Sequence, residues 1–179
     1  TCVKRTNQTT SVSTYNVAIG YNTGDSITTG VSNVLIGGLT GDSLTDADFN
    51  TAVGRSALGA DTLGSKTTAI GYGALQTQNF STATDTHNTA VGFNAGASLT
   101  DGFINTFVGS ISGDAVTTGN DNTALGYNSL GANTASNRNV AVGSEAMAVF
   151  NVTTDTHTYN TAVGYGVGNA LTTGVDNVL

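Results

Sequence analysis

Hydrophobic and polar positions alternate along this chain in short bursts, without the three-to-four rhythm of an amphipathic helix. "NVAIG" at 16–20, "NVLIG" at 33–37, "NTAVG" at 50–54 and "TTAIG" at 67–71 share one order of polar, small apolar, branched and glycine positions. The burst returns as "NTAVG" at 88–92, "NTFVG" at 105–109, "NTALG" at 122–126, "NVAVG" at 139–143 and "NTAVG" at 160–164, and the chain closes on "NVL" at 177–179. Thr, Val and Ile at alternate positions predict a short strand in each burst, because β-branched side chains suit a pleated surface. The interval from one burst to the next is too short for a helix pair. The pattern predicts an all-β fold: a parallel β-solenoid (β-roll or β-helix), one burst per coil, with equivalent strands stacked at ~4.8 Å.

The motif glycines are Gly20, Gly37, Gly54, Gly71, Gly92, Gly109, Gly126, Gly143 and Gly164. Their spacings run 17, 17, 17 and 21, and then the series repeats. Every fourth coil is therefore extended from 17 to 21, and the larger unit runs from Gly20 to Gly92 and again from Gly92 to Gly164. Shifted by one unit, "NVAIGYNTGDSITTG" (16–30) falls on "NTAVGFNAGASLTDG" (88–102) and then on "NTAVGYGVGNALTTG" (160–174). Coils within a unit are not equivalent. Two carry Gly after the motif, as in "GDS" at 24–26 and 41–43, and two carry Leu58, Leu75, Leu130 or Met147 there. Residues 1–179 read as one repetitive segment that starts and ends inside a unit, with coils beginning at 16, 33, 50, 67, 88, 105, 122, 139, 160 and 177.

Stacking turns these positions into columns. Asn16, Asn33, Asn50, Asn88, Asn105, Asn122, Asn139, Asn160 and Asn177 form an asparagine ladder whose amides are expected to bond along the axis. A threonine column, Thr28, Thr45, Thr62, Thr100, Thr117, Thr134 and Thr172, offers hydroxyl pairing. The motif glycine implies a positive-φ turn or a corner too tight for a side chain. In each burst the Ala column should face the interior. The opposite face carries Val or Ile, often followed by Tyr21, Tyr72, Phe93, Tyr127 or Tyr165, and is too apolar to be plain solvent surface. It is expected to pack on a second sheet of the same coil or on a neighbouring chain, which would make the rod a homo-oligomer.

Composition narrows the function. The chain has 24 glycines, no proline, 9% charged residues and a formal net charge of −7 with five basic residues. No basic patch is available to neutralise phosphates, so nucleic acid is not an expected partner. No apolar run is long enough to span a membrane. No signal peptide is visible, but the chain opens mid-pattern. The lone cysteine, Cys2, shifts onto Ala74 and Ala146 and reads as a small interior residue.

No constellation for catalysis stands out, and neither a cofactor nor a metal is expected. Asp85 with His87, and Asp155 with His157, give two ligands at most in their "TDTH" pieces, and read as exposed loop residues. Asp25, Asp42 and Asp114 follow a glycine and read as caps of their own turns. Doubled threonines at 28–29, 117–118 and 172–173 do not fall in adjacent coils, which leaves an ice-binding face a remote alternative.

The extended coils carry the sharpest local signal. "NQT" at 7–9, "NFS" at 79–81 and "NVT" at 151–153 are acceptor tripeptides for N-glycosylation, all in one phase of the repeat. Asn7, Asn79 and Asn151 are the candidates, and none of the chain's other asparagines lies in such a tripeptide. Glycans at these sites would place the protein in a secretory pathway.

The N-x-A-[VI]-G strands, running through almost the whole chain, resemble the β-roll head repeats of trimeric autotransporter adhesins and similar repeats in phage and viral tail fibres. The adhesin head repeat is shorter and lacks the larger unit found here. The resemblance implies an elongated, oligomeric, extracellular attachment module and transfers no binding residue. The expected function is that of a non-enzymatic structural protein at a cell or virion surface: a segment of an extracellular fibre or filament, with adhesion as a role such a rod can carry. A viral or phage tail fibre, or a trimeric adhesin head acting as a receptor-binding module, is the alternative.

Overall fold

The computed structural model describes residues 14–179, so Cys2 and Asn7 lie outside the described residues. Thirteen short strands and no helix are present among them. Nine are the motif strands: Val17–Ile19 (β1), Val34–Ile36 (β2), Thr51–Val53 (β3), Thr68–Ile70 (β5), Thr89–Val91 (β7), Thr106–Val108 (β8), Thr123–Leu125 (β9), Val140–Val142 (β11) and Thr161–Val163 (β13). They form one parallel sheet in the order β1-β2-β3-β5-β7-β8-β9-β11-β13, as a solenoid requires. Four two-residue strands, Gly64–Ser65 (β4), Thr84–Asp85 (β6), Ser136–Asn137 (β10) and Thr156–His157 (β12), pair as β4 with β6 and β10 with β12.

Register is kept across the extended coil. Ala52 lies beside Ala69, and Ala69 lies beside Ala90 although the longer coil joins that second pair. The four extra residues are absorbed away from the main sheet, where β6 and β12 stack on the coil before. Backbone bonds run unbroken along the rod, for example Gly37 N–H to the Ile19 carbonyl at 2.8 Å and Gly164 N–H to the Val142 carbonyl at 2.8 Å.

The motif glycines have φ between 128° and 144°, a region closed to other L-residues. A Cβ at Gly71 would stand 2.1 Å from the carbonyl oxygen of Gly92 in the next coil. Both reasons for glycine therefore act together: the turn needs the dihedral, and the stack leaves no room.

The Ala column points inward as the alternation requires, with Ala52, Ala69, Ala90, Ala124, Ala141 and Ala162 fully buried. Leu35 and Phe107 interrupt this column, one unit apart. Their bulk fills space opened by glycine. A Cβ at Gly113 or Gly96 would fall 2.6 or 2.8 Å from the Phe107 ring, and one at Gly24 or Gly41 would fall 3.0 Å from Leu35. The coils of Ala52, Ala69, Ala124 and Ala141 instead bury Leu58, Leu75, Leu130 and Met147 at the position of those glycines, whereas the coils of Ala18, Ala90 and Ala162 keep Gly24, Gly96 and Gly168 there. The two coil types seen in the sequence are two ways of filling one interior volume. Freedom of φ does not distinguish them, since Leu58, Leu75, Leu130 and Met147 also hold φ of 49–54°.

Candidate functional site

The asparagines do link coils, chiefly through the backbone. Each side-chain oxygen accepts the backbone N–H of the equivalent residue one coil on: Asn16 from Asn33 at 2.8 Å, Asn88 from Asn105 at 2.8 Å, Asn122 from Asn139 at 3.0 Å and Asn160 from Asn177 at 3.0 Å. The amide nitrogen donates to a carbonyl three residues before the next asparagine, as Asn105 does to Gly119 at 2.8 Å. Direct amide-to-amide bonds are secondary, as from Asn139 to Asn122 at 3.1 Å. The side chain caps a corner that the ladder would otherwise leave unsatisfied.

The threonine column is half-exposed, and its hydroxyls bond to backbone rather than to one another. Thr117 donates to the Thr134 carbonyl at 2.9 Å, and Thr45 to the Thr62 carbonyl at 3.1 Å. The column ends at the extended coils. There Thr62 donates to Asn79 Oδ1 at 3.0 Å, and Thr134 to Asn151 Oδ1 at 3.0 Å. Each acceptor-tripeptide asparagine thus plays a structural part, since its side-chain oxygen receives the threonine where the chain turns away. Asn79 is exposed and Asn151 half-exposed, with Ser81 and Thr153 exposed beside them. No hydrogen bond holds the Nδ2 of either asparagine among the described residues.

The two "TDTH" pieces are not structural equivalents. β6 and β12 occupy the same phase, so Asp85 corresponds to His157 and His87 to Tyr159. His87 sits on a left-handed corner at φ 52°, whereas His157 lies in β12, its ring 5.9 Å from Tyr159. Asp85 pairs with Lys66 at 2.5 Å, and Asn137 donates to Asp155 at 2.5 Å. Among the described residues no three His, Cys, Asp or Glu side chains converge as metal ligands would. Burial pushes the carboxyls of Asp42 and Asp114 above the ordinary carboxylate range, opposed in part by backbone N–H groups.

Sequence reading missed a buried polar network at the end of the first described unit. Asp61, Gln78, Thr67, Thr86 and Asn88 are all buried. Asn88 Nδ2 donates to Gln78 Oε1 at 2.9 Å, and Gln78 Nε2 donates to Asp61 Oδ2 at 2.7 Å. Asp61 Oδ1 accepts from the backbone of Gly64 at 3.1 Å and of Phe80 at 3.2 Å, and Thr67 shares a 2.6 Å hydroxyl bond with Thr86. Burial raises the Asp61 pKa above its ordinary 3.8, while Gln78 and the backbone donors hold it down in part. One unit on, the counterparts of Asp61, Gln78 and Thr67 are Asn133, Phe150 and Asn139, with Phe150 fully buried. The signal in the sequence was the paired change of Asp61 to Asn133 and Gln78 to Phe150.

The outward face of the main sheet is uncovered by any second sheet of the described chain. Ile19, Ile36, Ile70, Val108 and Val163 form an exposed aliphatic column at its centre. On one side stand Tyr21, Tyr72, Phe93, Tyr127 and Tyr165, all exposed, with Tyr72 and Phe93 stacked at 5.4 Å and Arg55 over the Tyr72 ring. On the other runs a left-handed corner at the residue before each asparagine position, where identity varies freely: Phe49, Lys66, His87, Ile104, Asp121, Arg138 and Tyr159. Among the described residues no helix is long and apolar enough to cross a membrane. No family model matches the chain, nor does any curated protein or solved structure.

Proposed function

We propose that this chain is a segment of an extracellular fibre or surface filament, non-enzymatic and self-associating. The observation that carries the reading is the uninterrupted parallel ladder of nine motif strands, each locked to the next by backbone, asparagine and threonine bonds. Such a stack resists bending and local opening, because each coil is held by both neighbours. At ~4.8 Å per coil the described residues make a rod on the order of 50 Å long. The exposed aliphatic column supports self-association: a continuous apolar strip with rims of aromatic and charged residues has the layout of an interface. Negative-stain electron microscopy and light scattering test this, with straight rods and a mass that is a multiple of the chain's 17.9 kDa expected. A compact monomer would sink it.

A receptor-binding shaft, of the tail-fibre or adhesin-head kind, is the second reading. It is favoured by the corner column, where a rigid backbone position presents exposed Phe49, Lys66, His87, Ile104 and Tyr159 in turn.

N-glycosylation of Asn79 and Asn151 belongs to the same proposal, because a surface fibre made in a secretory pathway would meet the glycosylation machinery. Both Nδ2 groups are uncommitted among the described residues, and both asparagines open exposed loops. Glycans there would line one edge at intervals of four coils, where they would hinder lateral association. Intact-glycopeptide mass spectrometry of the protein secreted from a eukaryotic host should find hexosamine-linked glycan on both asparagines. Bare peptides, beside an occupied control glycoprotein from the same cells, would remove this part of the reading.

A further inference from the structure

The extended coil opens a groove of about 570 Å³ between residues 79–84, residues 100–103 and Thr118. None of its lining residues belongs to the nine-stranded sheet, so self-association through the aliphatic column would leave it open. Phe103 forms one wall. The residue is 40% exposed, and its backbone is fixed on both sides: its N–H donates to Asn120 Oδ1 at 2.9 Å and its carbonyl accepts from the Asp121 N–H at 3.1 Å. It stacks on no other ring among the described residues.

The polar groups around it are complementary in kind. The Thr100 hydroxyl lies 3.0 Å from Asp101 Oδ1 and 3.1 Å from the Thr117 carbonyl, between which its one proton is shared, and Asp101 Oδ2 is open as an acceptor. The Thr62 hydroxyl reaches both Asn79 Oδ1 and the Phe80 carbonyl at 3.0 Å, and Asn79 Nδ2 is left as a donor. Ser81, Thr82 and Thr118 add hydroxyls that both donate and accept. An exposed aromatic face beside an acceptor, a donor and several hydroxyls matches a pyranose, whose ring C–H face is apolar and whose rim carries neighbouring hydroxyls. No lysine or arginine lines the groove, and the chain is acidic, which disfavours an anion. A single carboxylate is too little for a cation, and the mixed lining is wrong for an alkyl chain.

The repeat itself singles out this place. Asp101 corresponds to Thr29 and Thr173 in the adjacent units, and Phe103 to Val31 and Val175. In a chain otherwise so uniform, the aromatic wall and the acceptor occur together only in this unit.

We propose that this groove is a binding subsite for a neutral saccharide. The inference rests on the surface-fibre reading, whose adhesive role it makes specific, and applies to the chain without a glycan on Asn79, because a glycan on Nδ2 would take both the donor and the groove; it is tested separately from rod shape and mass. The test uses the full chain made in a bacterial host, where Asn79 carries no N-glycan. Glucose, galactose, mannose, fucose and N-acetylglucosamine are applied singly at millimolar concentration, with glycerol as the acyclic control, and read by saturation-transfer-difference NMR and backbone amide shifts. Transfer to the ring protons of at least one sugar is expected, with shifts confined to residues 79–84 and 100–103. F103V should abolish it, and D101T should weaken it by at least about tenfold, a loss of about 1.4 kcal/mol. Both substitutions install residues that the neighbouring units already carry, so the fold should tolerate them. Silence from all five sugars, equal transfer to glycerol, or transfer that survives F103V would overturn the proposal.

Discussion

Asp61 is a buried carboxyl at a position where the next unit carries the amide of Asn133. Its carboxyl is fully buried and its pKa is raised, mainly by that burial. A folded-state pKa above the unfolded value means that ionisation costs stability. This contribution is fully present below the ordinary 3.8 and is lost as pH rises through the higher folded value. Gln78 moderates the cost by donating to Oδ2. Q78F alone removes that donor and leaves a buried acceptor unpaired, a loss of about 1–3 kcal/mol that should deepen as pH rises through the raised folded-state pKa of Asp61. D61N alone places one amide nitrogen against another, because Gln78 Oε1 is already committed to Asn88. D61N/Q78F recreates the Asn133–Phe150 combination of the next unit. The double variant should therefore be more stable than the two single effects sum to, by about 1–3 kcal/mol, with a flatter dependence of melting temperature on pH. Thermal unfolding of all four forms across the acid range measures both, and additive effects would show that the network is not a unit.

At the scale of the coil, most of the architecture was legible and its reasons were not. Period, strand position, register and the inward alanine follow from repetition and alternation alone. The exchange of Gly for Leu or Met after the motif was visible, but its cause lies across the interior, in Leu35 and Phe107. Only stacking brings those positions together. The "TDTH" pieces show the opposite failure: identical letters stand two residues out of phase, because pairing of β6 with β4 and of β12 with β10 sets the register. The groove beside Phe103 was likewise unreadable, since Asn79 and Phe103 share it only when the extended coil loops outward. The volume argument has a direct check. F107A should cost about 3–5 kcal/mol by opening a cavity toward Gly96 and Gly113. F107A/G113L converts the coil to the other type and should recover at least about 1 kcal/mol of that. Leu58 and Leu130 already hold the required φ of 54°, so backbone strain does not forbid the swap. Denaturant unfolding of the pair decides it, and a double variant no better than F107A would mean that the two coil types are not interchangeable fillings.

At the scale of the whole molecule the question is what covers the aliphatic column. Ile36, Ile70 and Val108 are exposed by 36–37%, and they continue a strip that every motif strand extends by one aliphatic side chain. A partner able to cover such a strip along its length must share its axial repeat, and another copy of this chain does so by construction. Lysines at Ile70, Val108 and Val142, set two strands apart on β5, β8 and β11, would each point outward without touching the buried Ala column. In a monomer they would be ordinary surface charges, so the β-sheet circular dichroism signal should be unchanged. In an assembly built on this face they would be desolvated without partners, at several kcal/mol each. Sedimentation of the triple variant should therefore give the mass of a single chain while the unsubstituted protein sediments as a multiple. A triple variant that keeps the assembled mass would place the contact on another face, and an unsubstituted chain that sediments alone would leave the strip open in solution.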